Sequence, residues 1–240
     1  MISIIIPTLN EESVIGSTVD SLNSRMTLPH EIIVTDGRST DQTCEIARGK
    51  GATVVEFAGG HRQTIAEGRN DGAAAAHGDF LAFMDADCHL MNPDKFFTTA
   101  LDYFSSHPKT VAMTVSIRVL PEMETRADMI VFVIFNTYLR ILNNIFGVGM
   151  AAGEFQMIRT SAFKQVGGYN PALVASEDVD IFYRLAKVGK IEFMPHLTIF
   201  HTGRRAHKIG WPKLIMSWIM NSISMFLRGK AYSKEWKVIR

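Results

Sequence analysis

The stretch Gly68 to Asp87, GRNDGAAAAHGDFLAFMDAD, decides the fold. Residues 62–77 are alanine-rich and read as a helix, and Gly78 stops it. Residues 80–84 form a short apolar run bounded by turn residues, which reads as a strand buried on both faces. Asp85 and Asp87 then lie just past the strand's end. The same alternation continues upstream. Residues 2–6 read as a β-branched strand ended by Pro7, 12–23 as a helix capped by Asn10, and 31–35 as a strand closed by Asp36-Gly37. Residues 40–50 read as a helix ended by Gly51, and 53–57 as a third strand. Short apolar strands alternating with helices predict an α/β fold with a doubly wound, mostly parallel sheet flanked by helices. Ligands of such sheets sit at the carboxyl ends of the strands, so functional residues should follow Ile6, Thr35 and Met84.

Past Pro93 the pattern loosens. Residues 94–106 read as a helix, 110–119 as a strand, 129–146 as a strongly apolar stretch, 154–159 as a strand and 167–169 as a turn. Residues 176–188 have a helical period with Ser176 as cap, 191–194 and 198–201 are short strands, and 208–227 form a last helix. No repeat or linker interrupts the chain. At 240 residues, with 47% hydrophobic and 20% charged residues, it is neither disordered nor in need of a metal or disulfide staple. Mean hydropathy of +0.08 argues against a polytopic membrane protein. Two cysteines, Cys44 and Cys88, without CxxC spacing point to a reducing, cytoplasmic setting. The opening MISIIIPTLNEE lacks a basic n-region and is not expected to be a signal peptide.

The chemistry-bearing residues fall into three groups. Alternation puts Asp85 and Asp87 on one side of the strand end. Two carboxylates in one crevice repel unless a cation or hydrogen bonds hold them, and Mg²⁺ or Mn²⁺ answers that need where a diphosphate is bound. A turn with solvated aspartates explains the same tripeptide. In SEDVDIFYRL, 176–185, Glu177 and Asp178 occupy a helix's first turn. There the macrodipole favours acids, and a general base facing the crevice is the functional alternative. In HTGRRAHK, 201–208, Arg204 and Arg205 have the forked donors that grip phosphate, unless they form a solvated loop. GVGMAA, 147–152, has dinucleotide-fingerprint spacing, but it lies between a helix-like stretch and a strand, the wrong context.

The four segments SIIIPTLNEE (3–12), EIIVTDGRSTDQT (31–43), GRNDGAAAAHGDFLAFMDAD (68–87) and SEDVDIFYRL (176–185), in this order, resemble the family 2 glycosyltransferases of the GT-A fold. The resemblance covers residues 1–205. It implies a nucleotide-binding half at about 1–90 and an acceptor half at about 91–205. A basic amphipathic segment at 206–240 would belong to the same compact unit. It further implies that Pro7, Thr8, Asn10 and Glu11 cradle base and ribose, that Asp36 contacts base or ribose, and that Arg69 and Asn70 reach the nucleotide. Gly37 stands where many relatives carry a second aspartate. Asp85 and Asp87 match the DxD pair, the first near ribose and metal, the second on metal and diphosphate. Glu177 and Asp178 match the catalytic pair, with Asp178 as base, and His201 matches a metal-binding histidine, with His89 as rival. The implied enzyme is an inverting, Mg²⁺- or Mn²⁺-dependent hexosyltransferase. It would take a UDP- or GDP-linked sugar and a glycan or polyprenyl-phosphate acceptor, and no nucleic acid. A sugar-nucleotide nucleotidyltransferase is the alternative, but it would carry a Gly-rich basic loop after the first strand, where Pro7-Thr8-Leu9-Asn10 stand. A non-catalytic GT-A-like binding subunit would be expected to have lost Asp85, Asp87 or Asp178.

Residues 201–240 hold nine Lys/Arg against Glu235, about +8, while the first 200 residues hold sixteen basic and twenty-three acidic residues, about −7. With Trp211 and Trp218 among Ile and Met, residues 209–227 read either as a helix lying on an anionic membrane at its cytoplasmic face or as a core helix.

Overall fold

The computed structural model describes residues 1–233; the end of the basic segment, 234–240, lies outside the described residues. In chain order come β1 (Ile2–Thr8), α1 (Ile15–Arg25), β2 (His30–Asp36), α2 (Thr43–Gly49), β3 (Thr53–Glu56), α3 (Ile65–Ala75) and β4 (Phe80–Met84). Then follow α4 (Pro93–Ser106), β5 (Thr110–Val119), α5 (Arg126–Arg140), a π-helical turn (Ile141–Ile145), β6 (Phe155–Arg159) and α6 (Thr160–Gln165). The described chain ends with α7 (Glu177–Leu185), β7 (Lys190–His201), α8 (Arg204–Ile209) and α9 (Trp211–Arg228). One seven-stranded sheet has the order β3-β2-β1-β4-β6-β5-β7. All its pairings are parallel except those of β6, which runs antiparallel to both β4 and β5.

The apolar runs become central strands because both faces are covered. Successive side chains of a strand point to opposite faces. Ile4, Ile6, Val34 and Met84 accordingly enter one core cluster, and Ile5, Ile33, Leu81 and Phe83 enter the other. Gly78 serves by close approach: a Cβ there would lie 2.7 Å from the Ser3 nitrogen. In α3, a Cβ on Gly72 would lie 2.4 Å from Ile5 Cγ2, so glycine lets this helix rest directly on β1.

Several local expectations need correction. Asn10 does not cap α1, which starts at Ile15 after Val14. Asn10 takes φ 56°, and its Oδ1 accepts a hydrogen bond from the Thr40 nitrogen at 2.7 Å. Ser176 precedes α7 in the left-handed region (φ 62°) and makes no side-chain cap bond. The start of α3 is set by a reciprocal capping box between Thr64 and Glu67, three residues later than expected. The two short strands at 191–201 are one strand, β7, with an irregularity opposite Val115 and Ser116. The last helix is divided at Gly210, whose φ of 86° breaks α8 from α9.

Trp211 and Trp218 are not turned outward. Trp211 packs edge-on against Phe132 of α5 at 5.4 Å, and Trp218 lies 5.5 Å from Phe135. The seam is fastened by Asp128, which is fully buried. Its carboxylate accepts from the Thr125 nitrogen and hydroxyl (2.7 Å each) and from Trp211 Nε1 (2.8 Å), and it pairs with His207 Nε2 (2.8 Å). Burial pushes this carboxyl up, but the donors from His207, Thr125 and Trp211 outweigh it and hold the group below its ordinary value. Asp128→Ala orphans several buried donors at once. The expected cost is about 3 kcal/mol, which is a melting temperature lower by roughly 6–12 °C in a calorimetric or dichroism scan.

Candidate active site

The crevice lies at the carboxyl ends of β1, β2 and β4, as such a sheet requires. Two loops, after β1 and after β2, are laced together on one side of it. Pro7 lies within β1, in register with Thr35. Thr8 Oγ1 donates to the Thr35 carbonyl (3.2 Å) and to Asp36 Oδ1 (3.3 Å). Asp36 is buried and accepts from the Ser39 nitrogen at 2.7 Å and from its hydroxyl, so it shapes the turn that holds Arg38 at φ 72°. The Asn10 nitrogen donates to Ser39 Oγ and the Glu11 nitrogen to Thr43 Oγ1, both at 2.7 Å. Beside these loops a cleft of about 470 Å³ is lined by Asp36, Arg38, Cys44, Arg48, Glu56 and Phe57.

Arg69 departs from the expected nucleotide contact. Its side chain is 1% exposed and lies beneath the crevice. Nη1 donates to Glu177 Oε1 (2.9 Å), and Nη2 donates to the Gly153 carbonyl (2.9 Å) and, more weakly, to Asp85 Oδ1 (3.5 Å). The neighbouring Asn70 is also turned inward. Its amide donates to the Tyr169 carbonyl, and its Oδ1 accepts from the Tyr169 nitrogen. The fork of Arg69 divides the Glu177–Asp178 pair: Glu177 is buried on the arginine, while Asp178 stays half-buried, with Oδ1 accepting from the Val179 nitrogen at 2.8 Å. Burial and the adjacent Glu177 charge raise the Asp178 carboxyl, against the pull of Arg69.

Asp85 is 41% exposed, opening on the crevice. Its surroundings push it up to about 7 through desolvation and the charges of Glu154, Asp87 and Glu177, against Arg69. Asp87 is buried. Its Oδ2 accepts from the Thr202 hydroxyl and pairs with Arg204 Nε at 3.2 Å. The other two guanidinium nitrogens of Arg204 grip both oxygens of Glu11 at 2.8 Å. Glu11, expected on the base or ribose, therefore locks the start of α8 to the β1 loop. Arg205 has its pKa lowered by burial while facing the field of Asp85, Glu154 and Asp87. His201 Nε2 is buried without a hydrogen-bond partner, and Nδ1 accepts from the Gly203 nitrogen at 3.3 Å. Burial lowers its pKa, and the charges of Asp87 and Asp85 oppose that. His89, half-buried and bridged by its backbone to Phe200, also lies in the field of Asp87.

These residues fit a divalent cation. Among the described residues no three His, Cys, Asp or Glu side chains form a ready-made cluster around a cation-sized gap. The donor set is nevertheless suitable: both side-chain contacts of Asp87 fall on Oδ2 and leave Oδ1 as an oxygen donor, and the orphaned His201 Nε2 needs a partner. Ligation through Nε2 requires the ring proton on Nδ1, so the long Gly203 contact must be given up.

Glu154 was not anticipated. It immediately precedes β6, and because β6 is antiparallel, the start of this strand lies beside the end of β4, with Phe155 opposite Met84. Burial and the charge of Asp87 raise its carboxyl, while Arg69 and Arg205 lower it. Gly153 and Thr202, which supply an acceptor to Arg69 and a donor to Asp87, were missed as well.

A doubly wound sheet with acids gathered past β4 and at the start of α7 defines the GT-A class of nucleotide-sugar folds. The sequence matches the family model "Glycosyl transferase family 2" over residues 3–167, and the chain belongs to that family. It is 30% identical over 207 residues to the succinoglycan biosynthesis protein ExoA of Rhizobium meliloti (strain 1021), covering 78% of this chain and 58% of that protein. Over 97 residues it is 36% identical to a PGL/p-HBAD biosynthesis glycosyltransferase of Mycobacterium bovis, 39% of this chain and 38% of that one. Among solved structures, the mannosyltransferase PcManGT of Pyrobaculum calidifontis, in complex with GDP-Man and Mn²⁺, superposes with a TM-score of 0.72 at 19% identity. The match covers 96% of this chain and 65% of that one. Glucosyl-3-phosphoglycerate synthase of Mycobacterium tuberculosis, with Mn²⁺, UDP and glucosyl-3-phosphoglycerate, superposes with 0.61 at 23% identity over 95% of this chain and 78% of that one. At these identities the structures share the fold. The chain spans little more than half the length of ExoA.

Proposed function

We propose that this chain transfers a hexose from a UDP- or GDP-linked sugar to a glycan or polyprenyl-phosphate acceptor, with inversion, using Asp178 as general base. The observation that carries this reading is the division of the acidic pair. Arg69 takes Glu177 out of play, and Asp178 remains in the crevice with a raised pKa, the condition that makes a carboxylate a useful base near neutral pH. With a glycan acceptor, Asp178 accepts the hydroxyl proton while that oxygen attacks the anomeric carbon from the face opposite the leaving diphosphate; a phosphate acceptor arrives ionised and needs no base. Arg205, and Arg204 once its two terminal nitrogens are released from Glu11, supply forked donors to diphosphate oxygens. The loops at Thr8–Glu11 and Asp36 border the base and ribose, with Gly37 in place of the second acid usual there and Arg38 following it. Asp87, His201 and Asp85 would hold Mg²⁺ or Mn²⁺, with His89 as the alternative imidazole, and the metal would offset charge on the departing nucleoside diphosphate. Cys44 and Cys88 are both free, which suits work at the cytoplasmic side.

Turnover of a panel of UDP- and GDP-sugars, with glycan and polyprenyl-phosphate acceptors, tests the reading, and proton NMR of the product gives the anomeric configuration. A product of retained configuration, or turnover of sugar phosphates with nucleoside triphosphates instead, overturns it. Calorimetry should show nucleoside diphosphate affinity falling at least about tenfold, or ~1.4 kcal/mol, on chelation or in Asp87→Ala. Equal affinity with and without chelator removes the metal from the proposal.

A further inference from the structure

We infer that the outer faces of α5 and α9 together form a docking surface for an anionic lipid bilayer, a role that goes beyond the transfer reaction. On α5 the inward positions are Asp128, Phe132, Leu139 and, past its end, Asn143, at helical spacing. The opposite stripe carries Ile130, Ile134, Ile145 and Phe146, and the outer stripe of α9 carries Ile223 and Leu227. These six side chains are between 48 and 79% exposed. The two helices are held side by side through Phe132, Phe135, Trp211 and Trp218. An isolated exposed leucine is ordinary, but two adjoining helices with apolar outer stripes make a surface that needs a partner.

The charge pattern selects the partner. Arg126, Arg140, Lys213 and Arg228 are exposed at the ends of the two helices. The acid within α5, Asp128, faces inward and is fully buried. From Gly203 to Ser233 the sequence has six Lys/Arg and no acid. Pairing this face with a second copy of itself would bring one basic rim against another, whereas an anionic bilayer takes the apolar stripe into its interface and pairs the rim with headgroups. Among the described residues no helix is long and apolar enough to cross a membrane, so the geometry is that of helices lying on the surface. The tryptophans, which would be natural interfacial anchors, are used here to fasten one helix to the other.

The test is co-sedimentation of the full chain with phosphatidylcholine vesicles, with and without phosphatidylglycerol, at low and high salt. Binding should require phosphatidylglycerol and weaken with salt. The variant Ile134→Glu/Ile145→Glu/Leu227→Glu changes only exposed positions. It should keep its melting temperature and nucleoside diphosphate affinity and lose at least about tenfold in vesicle partitioning. Arg126→Gln/Lys213→Gln, with the apolar stripe intact, should lose mainly the salt-sensitive part. Absent binding, or binding that the triple variant leaves unchanged, overturns the inference. So does a concentration-dependent dimer, seen by light scattering, that the triple variant abolishes, because the occupant is then a second copy.

Discussion

Asp178→Asn is expected to keep nucleotide-sugar affinity and to lose turnover by a factor of roughly 10²–10⁴. The substitution is nearly isosteric, and its hydrogen bond to the Val179 nitrogen can persist through the amide oxygen. Only the ability to accept a proton is lost, and that ability matters in the transition state. The pH profile supplies the second reading. The Asp178 pKa is raised by burial and by the Glu177 charge, so the protonated, inactive form prevails below that value. The rate should therefore climb with pH along a limb well above the ordinary carboxylate range, and the residual rate of Asp178→Asn should lack that limb. Single-turnover rates with saturating donor isolate the step. Full activity in the variant would mean that the acceptor arrives already ionised, as a phosphate does, and would leave the assignment of a base without support.

The strand ends of this arrangement are legible in the sequence, and the side chains packed beneath them only in part. Residues 2–6 and 80–84 announce buried strands because they are short apolar runs, and Asp85 and Asp87, which follow the second, must then lie at its end. The inward turn of Arg69 has no such signal. The resemblance points Arg69 at the nucleotide, whereas its burial depends on Glu177 and Gly153, 108 and 84 residues further along the chain. Glu154 was hidden for a topological reason, since a reading of β6 as parallel would place its first residue at the wrong edge of the sheet. The Asp128 seam was missed because it lies just outside the strongly apolar stretch from Met129 to Phe146. The polar residue that decides its contacts sits one position before that run. Asn10 and Ser176 look like helix caps by residue type, yet both adopt positive φ and shape loops beside the crevice.

Arg69→Met should damage stability and activity together, and a second substitution should separate the two. Methionine keeps much of the length of arginine but leaves the buried Glu177 carboxylate without its cation and the Gly153 carbonyl without its donor. Breaking a buried pair from one side costs about 3–5 kcal/mol. For a chain of this size that is a melting temperature lower by roughly 6–20 °C. Turnover should fall by about 10²-fold, because Asp85 and the start of α7 lose the common anchor that fixes them relative to each other. Removing both charges in Arg69→Met/Glu177→Met restores electrical balance in the buried layer, and most of the lost stability should return. Turnover should not return, since the anchor is still missing. The pH limb distinguishes positioning from bulk stability. Loss of the Arg69 cation disfavours the Asp178 carboxylate, moving the limb to higher pH, and neutralising Glu177 as well moves it back down. If the double variant recovers turnover along with stability, Arg69 is only a structural tie. If it recovers stability alone, with the limb displaced in the single variant and returned in the double, Arg69 is a positioning residue of the site.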